Sequence, residues 1–169
     1  MKIKEAKYIV SACLTGRSCF YDGTGRNEPV IKELLDKKQA IALCPEELGG
    51  LGVPRPACEI FAGTGEDVLD GEAYVFNKEG KEITFNIIKG VKEFLKIAKE
   101  SKVTKAILKA RSPCCGKGKI YDGTFSNKLK DGNGVLTALL LRNDIEVFTD
   151  EEFVKDFNKH AKDKKRKNR

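Results

Sequence analysis

One histidine, His160, serves the whole chain, and it lies in the charged C-terminal region. It is expected as a surface residue, so whatever chemistry the protein performs must run largely without imidazole. Cys-x-x-Cys pairs are absent as well, which excludes the paired short spacings typical of a structural zinc site. The glycine segment Gly49-Gly-Leu-Gly52 lacks both the Gly-Lys-Ser/Thr and the Gly-x-Gly-x-x-Gly patterns, so it is not a phosphate loop. No apolar run approaches the ~18 residues of a membrane span. Val10-Ser-Ala-Cys13 has the look of a lipoprotein cleavage box, but only Tyr8-Ile9-Val10 precede it as an apolar stretch, well short of the roughly 7–15 residues a signal core needs. The protein is expected to be cytoplasmic, with no membrane partner.

What is present is one core's worth of apolar material in 169 residues, 40% hydrophobic and 34% charged, in the range of a single folded domain. The net charge of +7 is uneven. Residues 162–169 hold six cations and one anion and contribute +5, leaving the body at only +2. This basic segment is expected as a solvated, disordered tail on a single domain spanning 1–161, and a nucleic-acid partner is not expected.

Strand-like and helix-like segments alternate. Apolar runs at Tyr8–Ala12, Ala40–Leu43, Lys105–Lys109 and Ile145–Phe148 read as strands. Helices are expected from Pro29, over about 85–99, over about 134–141, and from Asp150, which is read as the cap of a last helix with Phe153, Val154 and Phe157 facing inward. Residues 45–83 read as irregular loops, with a small hairpin formed by Ala73–Phe76 and the stretch from Gly80 to Ile83. The pattern predicts an α/β fold: a single three-layer Rossmann-like domain with a mainly parallel sheet of about four strands and irregular active-site loops.

Six cysteines are the main chemical resource. Cys13, Cys44 and Cys115 each follow an apolar run of strand length, and ligands of open parallel sheets bind outside the carboxyl ends of the strands. Three distant thiols can therefore meet at one edge. In a chain with no export signal, they serve as metal or iron–sulfur ligands, as a nucleophile, or as buried small hydrophobes; spacing alone does not choose. Glu46 falls at the same edge, as a general acid or base or as an ordinary loop carboxylate. Ser112 is a substrate hydrogen-bonding group or a turn residue. Arg55, between Pro54 and Pro56, orients a polar ligand or makes a surface ion pair. Tyr21-Asp-Gly-Thr24 recurs as Tyr121-Asp-Gly-Thr124: two uses of one turn, or two loops walling one pocket.

Taken together, Ser11-Ala-Cys-Leu-Thr-Gly16 with Tyr21-Asp-Gly23, Cys44-Pro-Glu46 with Gly49-Gly50 and Pro54-Arg-Pro56, Asp70-Gly71, and Ser112-Pro-Cys-Cys-Gly116 with Tyr121-Asp-Gly123 resemble the thiouracil desulfidase family over about residues 6–150. The resemblance implies a 4Fe-4S cluster held by Cys13, Cys44 and Cys115 with one iron open. It also implies a thiopyrimidine substrate, water activated by Glu46, and Ser112 positioning the substrate or relaying protons. The family pattern reads Ser-Pro-Ser-Cys-Gly, and here Cys114 stands in place of the second serine. Cys19 and Cys58 match no ligand position and are expected as partly buried bystanders. A Cys-rich metal or cluster carrier without catalysis is the alternative.

Overall fold

The structure, a computed structural model, describes residues 6–168. Its centre is a four-stranded, all-parallel sheet made of β1 (Tyr8–Ser11), β2 (Ala40–Leu43), β5 (Lys105–Leu108) and β8 (Glu146–Thr149), in the order β2-β1-β5-β8. Neighbouring side chains on a strand point to opposite faces, and the core divides accordingly. Ile9, Ala106 and Leu108 join one apolar cluster, whereas Val10 and Ile107 join another. The first cluster is completed by α4 (Thr84–Glu100) and α5 (Val135–Arg142), the second by α1 (Pro29–Asp36) and Phe153 of α6 (Asp150–Lys167). Helices on both faces of the sheet give the three expected layers.

The long helix α4 buries Ile87, Val91, Phe94 and Ala98, a spacing of three to four residues that keeps one stripe against the sheet. On α6, Phe153 makes edge contacts with Tyr8 and Phe148 at ring separations of 5.5 and 6.3 Å. Phe157, expected to face inward, is largely exposed, because the sheet ends beneath the first turns of the helix. The cap is Thr149, not Asp150. Thr149 accepts the Glu152 N–H and Glu152 reaches back to the Thr149 N–H, the reciprocal capping box. Asp150 is instead buried and accepts the Ala110 N–H at 2.8 Å. The segment expected to be a disordered tail continues α6 as exposed helix through Lys167. His160 is exposed on the same helix, beside Asp156.

Residues 45–83 are more ordered than their Gly and Pro content suggests. They contain α2 (Pro45–Leu48), β3 (Cys58–Phe61), α3 (Gly65–Leu69) and β4 (Tyr74–Asn77). The main partner of β4 is β3, running antiparallel, while the expected turn back from Gly80 survives as the bridge Phe76–Glu82 and the Ile83 N–H bond to Val75 O. A second antiparallel pair, β6 (Lys119–Tyr121) with β7 (Leu129–Asp131), follows the third cysteine strand. No helix among the described residues is long and apolar enough to cross a membrane.

The chain passes from β1 outward to β2 on one side, then crosses to β5 on the other. The strand order therefore reverses between β1 and β5, and the crevice at the carboxyl ends of those strands is the position where such sheets accommodate ligands.

Candidate active site at the carboxyl edge of the sheet

β1 ends in a single 3₁₀ turn, Ala12–Leu14, which presents Cys13. β2 ends at Leu43, and Cys44 follows as the cap position of α2, whose first residue is Pro45, the helix position that best tolerates a missing N–H. β5 leads through Ala110 to Arg111, whose φ of +66° lies in the left-handed region, rare for a residue with a Cβ. That turn sends Ser112-Pro-Cys-Cys-Gly116 back over the sheet edge. The Ser112 Oγ accepts the N–H groups of Cys114 and Cys115 at 3.2 and 3.1 Å, while the first N–H groups of α5 bind the carbonyls of Pro113 and Cys114. Otherwise unpaired helix-end donors thus hold the loop. Gly116 has no room for a side chain, since a Cβ would stand 2.6 Å from Ser112 O.

These three strand ends enclose one cavity, lined among others by Cys13, Cys44, Cys115, Glu46 and Ser112. All five residues singled out in the sequence are therefore brought together. Ser11, buried at the end of β1, ties the two strands at the reversal point. It accepts the Lys109 N–H at 3.1 Å and donates to Cys115 Sγ at 3.5 Å. Arg55 makes a buried ion pair, not a surface one. Its Nε and Nη2 both contact Glu46 Oε2 at 2.5 Å, with the two side chains only 10% and 13% exposed. Nη1 and Nη2 also donate to Gly52 O and Cys19 O, so Glu46 is held by a guanidinium that is itself held.

Sequence reasoning missed Ser11, Lys109, Cys19 and Glu47. Cys19 is buried and lines the same cavity. The loop folds back on backbone bonds from Arg26 N to Cys13 O and from Gly16 N to Arg26 O, which leaves the Cys19 thiol between those of Cys13 and Cys44. The hydrogen bond with Cys13, followed by burial, pushes the Cys19 thiol up to about 12. The hydrogen bond with Cys19, followed by burial, likewise raises Cys44. Cys114 is fully enclosed, and its thiol is raised by contact with the Cys115 thiol and by burial. Cys58 lies on β3, half-buried, with its thiol raised by desolvation. A metal that displaces the protons of such thiols would turn the same atoms into ligands.

The two Tyr-Asp-Gly-Thr copies share a turn. Asp22 and Asp122 each accept the N–H and hydroxyl of the threonine two residues on, at 3.0 and 2.6 Å in both cases. They do not share a pocket. Tyr21 stands at the cavity, but the second copy belongs to the β6–β7 pair, where Gly123 and Phe125 donate to Glu59. Asp70 is also remote from the cavity. It receives two hydrogen bonds from Arg142 at 2.9 and 3.0 Å, joining the end of α3 to the end of α5.

Comparison with known proteins bears on this arrangement. The chain is 43% identical over 144 residues to YbbK of Bacillus subtilis (strain 168), a protein described as uncharacterized; the match covers 85% of this chain and 95% of YbbK. Its fold matches the solved structure of the 4Fe-4S-dependent thiouracil desulfidase TudS with a TM-score of 0.78 and 34% identity, covering 89% of this chain and 94% of that one. The family model for 2-thiouracil desulfurase matches residues 8–152, a span that takes in every strand of the sheet and every residue of the cavity described above. The chain therefore belongs to the 2-thiouracil desulfurase family.

Proposed function

We propose that this protein is a 4Fe-4S-dependent desulfidase that converts a thiolated pyrimidine and water into the oxo-pyrimidine and hydrogen sulfide, with no net redox change. The observation that carries the reading is the convergence of Cys13, Cys44 and Cys115 with Glu46 and Ser112 on one cavity at the reversal point of the sheet. In this reading the three thiolates hold the cluster and leave one iron without a protein ligand. The donor set suits the group: sulfur ligands are what such clusters use, and the cavity has no histidine on its wall. When bound, the cluster supplies a Lewis-acidic iron for the thiocarbonyl sulfur.

The remaining work falls to the chain's own groups. The Glu46 carboxylate takes a proton from the water that attacks the thiocarbonyl carbon, and that proton is passed on to the departing sulfur. The thiocarbonyl and one water thus become a carbonyl and one hydrogen sulfide. Arg55 fixes Oε2 of Glu46, which leaves Oε1 for water and spares the carboxylate reorganisation during the reaction. The Ser112 oxygen already accepts two backbone N–H groups, so its own hydroxyl proton is free to donate to a substrate atom.

The deciding experiment is anaerobic purification with iron and acid-labile sulfide analysis, followed by sulfide release from 2- and 4-thiouracil. About four irons and four sulfides per chain are expected. Alanine at Cys13, Cys44 or Cys115 should remove the iron. Glu46→Gln should retain it and lose roughly 10²–10⁴-fold in kcat. No iron after anaerobic reconstitution, or full turnover in Glu46→Gln, overturns the reading. The buried Cys19 thiol beside Cys13 and Cys44 favours the second reading, a closed four-thiol carrier without catalysis. Loss of iron in Cys19→Ser would select that reading, and full iron content would reject it.

A further inference from the structure

The proposed chemistry uses neither Cys19 nor Glu47, yet the two meet at its edge. Cys19 Sγ, Cys44 Sγ and one carboxylate oxygen of Glu47 all lie within 4.8 Å of one another. Glu47 Oε2 is enclosed, and no donor among the described residues is aligned to hydrogen-bond it. It already pairs with Arg17 Nη2 at 2.9 Å, and the Glu47 side chain as a whole is 30% exposed. The two thiols bring no charge of their own to this carboxylate, so the three groups together can take up a cation.

We propose that Cys19, Cys44 and Glu47 form a three-ligand zinc site, its fourth position left to water, in the protein when it carries no cluster. A tetrahedral zinc ion with sulfur ligands at about 2.3 Å and an oxygen ligand at about 2.0–2.2 Å holds its donor atoms roughly 3.5–3.8 Å apart. Closing the present triangle on a zinc ion thus needs side-chain movements of about 1 Å. Two sulfurs and one carboxylate oxygen match the borderline-soft character of Zn²⁺ and disfavour hard cations such as Mg²⁺ and Ca²⁺. Binding involves no electron transfer. The ion displaces the thiol protons of Cys19 and Cys44 to solvent, and the carboxylate binds as it stands. The zinc site requires nothing of the proposed desulfidase reading. Its consequence does rest on that reading: Cys44 cannot serve both metals at once, so zinc and cluster exclude each other.

The test uses full-length protein, freed of metal under reducing anaerobic conditions and titrated with Zn²⁺ against a chromophoric chelator. One zinc per chain is expected. Cys19→Ser should weaken binding by at least about 100-fold, beyond the roughly 10–100-fold typical of groups that only support a ligand, and Glu47→Gln by about tenfold. Cys115→Ser should leave the affinity within about twofold, since Cys115 lies outside the set. In a second arm, zinc-free Cys19→Ser and Glu47→Gln should take up the wild-type amount of iron on reconstitution, which also shows that both are folded, and zinc-loaded wild type should take up none. Zinc affinity that ignores Cys19 and Glu47, or that falls as far in Cys115→Ser, overturns the proposal. A wild type that binds zinc as described but never takes up iron would defeat the desulfidase reading and leave the zinc site standing.

Discussion

Gly90 offers a direct test of how the fold aims Glu46. It lies in the middle of α4, where alanine would ordinarily be worth about 1 kcal/mol more than glycine. Here an added Cβ would stand 1.8 Å from Pro45 O and 2.9 Å from Gly49 N, both backbone atoms of the α2 segment. No side chain can swing aside to relieve that contact, so α2 and α4 must separate by more than ~1 Å to restore ordinary van der Waals distances. Overpacking of this kind costs about 1–3 kcal/mol. Separation also strains the hydrogen bond from Asn86 Nδ2 to Gly49 O, now 2.9 Å, worth about 1 kcal/mol. Against the gain in helix propensity, Gly90→Ala should lose roughly 2 kcal/mol. Because α2 carries Glu46 and begins beside Cys44, the same shift misplaces the carboxylate, and a 1 Å error at a reacting group can cost about 10²-fold. Urea unfolding and anaerobic sulfide release measure the two effects. Gly52→Ala, where an added Cβ meets nothing within 4 Å, should be near neutral in both. A Gly90→Ala protein as stable and as active as wild type would refute the idea that this helix contact aims the site.

Two further outcomes follow from single pairs. Arg55→Gln strips Glu46 of its buried partner, which should cost about 3 kcal/mol and lower kcat more than it raises KM; Arg55→Lys should restore little, because a lysine cannot reproduce the fork that also binds Gly52 O and Cys19 O, and full rescue would refute that role. The hydrogen bonds from Arg142, then its charge, hold the Asp70 carboxyl below its ordinary 3.8, so this pair's contribution to stability is complete above the unfolded value and is lost as pH falls through the lower, folded one; Arg142→Met should flatten the melting temperature against pH in that acid window, and an unchanged slope would show that the pair contributes nothing.

How much of this was readable in the chain depends on how local each signal is. The four core strands are continuous apolar runs ending in turn residues, the mark of strands buried on both faces, and their order in sequence with helices between them leaves few arrangements other than a parallel sheet. That is why Cys13, Cys44 and Cys115 were legible as strand-end residues and met as expected at one edge. β3 and α3 were missed because each is only four or five residues long and lies among Gly and Pro, although Thr64 and Asp67 carry a capping box on α3 that the sequence does display. The position of Cys19 has no such local sign. It depends on the Arg26 N to Cys13 O closure, between residues thirteen apart that carry no patterned side chains. The Asp-Gly turn repeat shows the opposite limit. Its local geometry was fully coded in four residues, and where each copy sits was coded elsewhere.

The arrangement explains why a site without histidine can still be selective. Each thiol at the sheet edge is fixed through the backbone: Cys13 by the 3₁₀ turn and the Arg26 N–H, Cys44 by the packing of α2 on α4, and Cys115 by Ser11, Ser112 and the start of α5. The proposed cluster and the proposed zinc ion would both draw on Cys44, the first completed by Cys13 and Cys115 and the second by Cys19 and Glu47. The choice then falls to the order and conditions of loading: a chain filled with zinc first is closed to iron, and removing Cys19 should open it without touching any group assigned to the reaction.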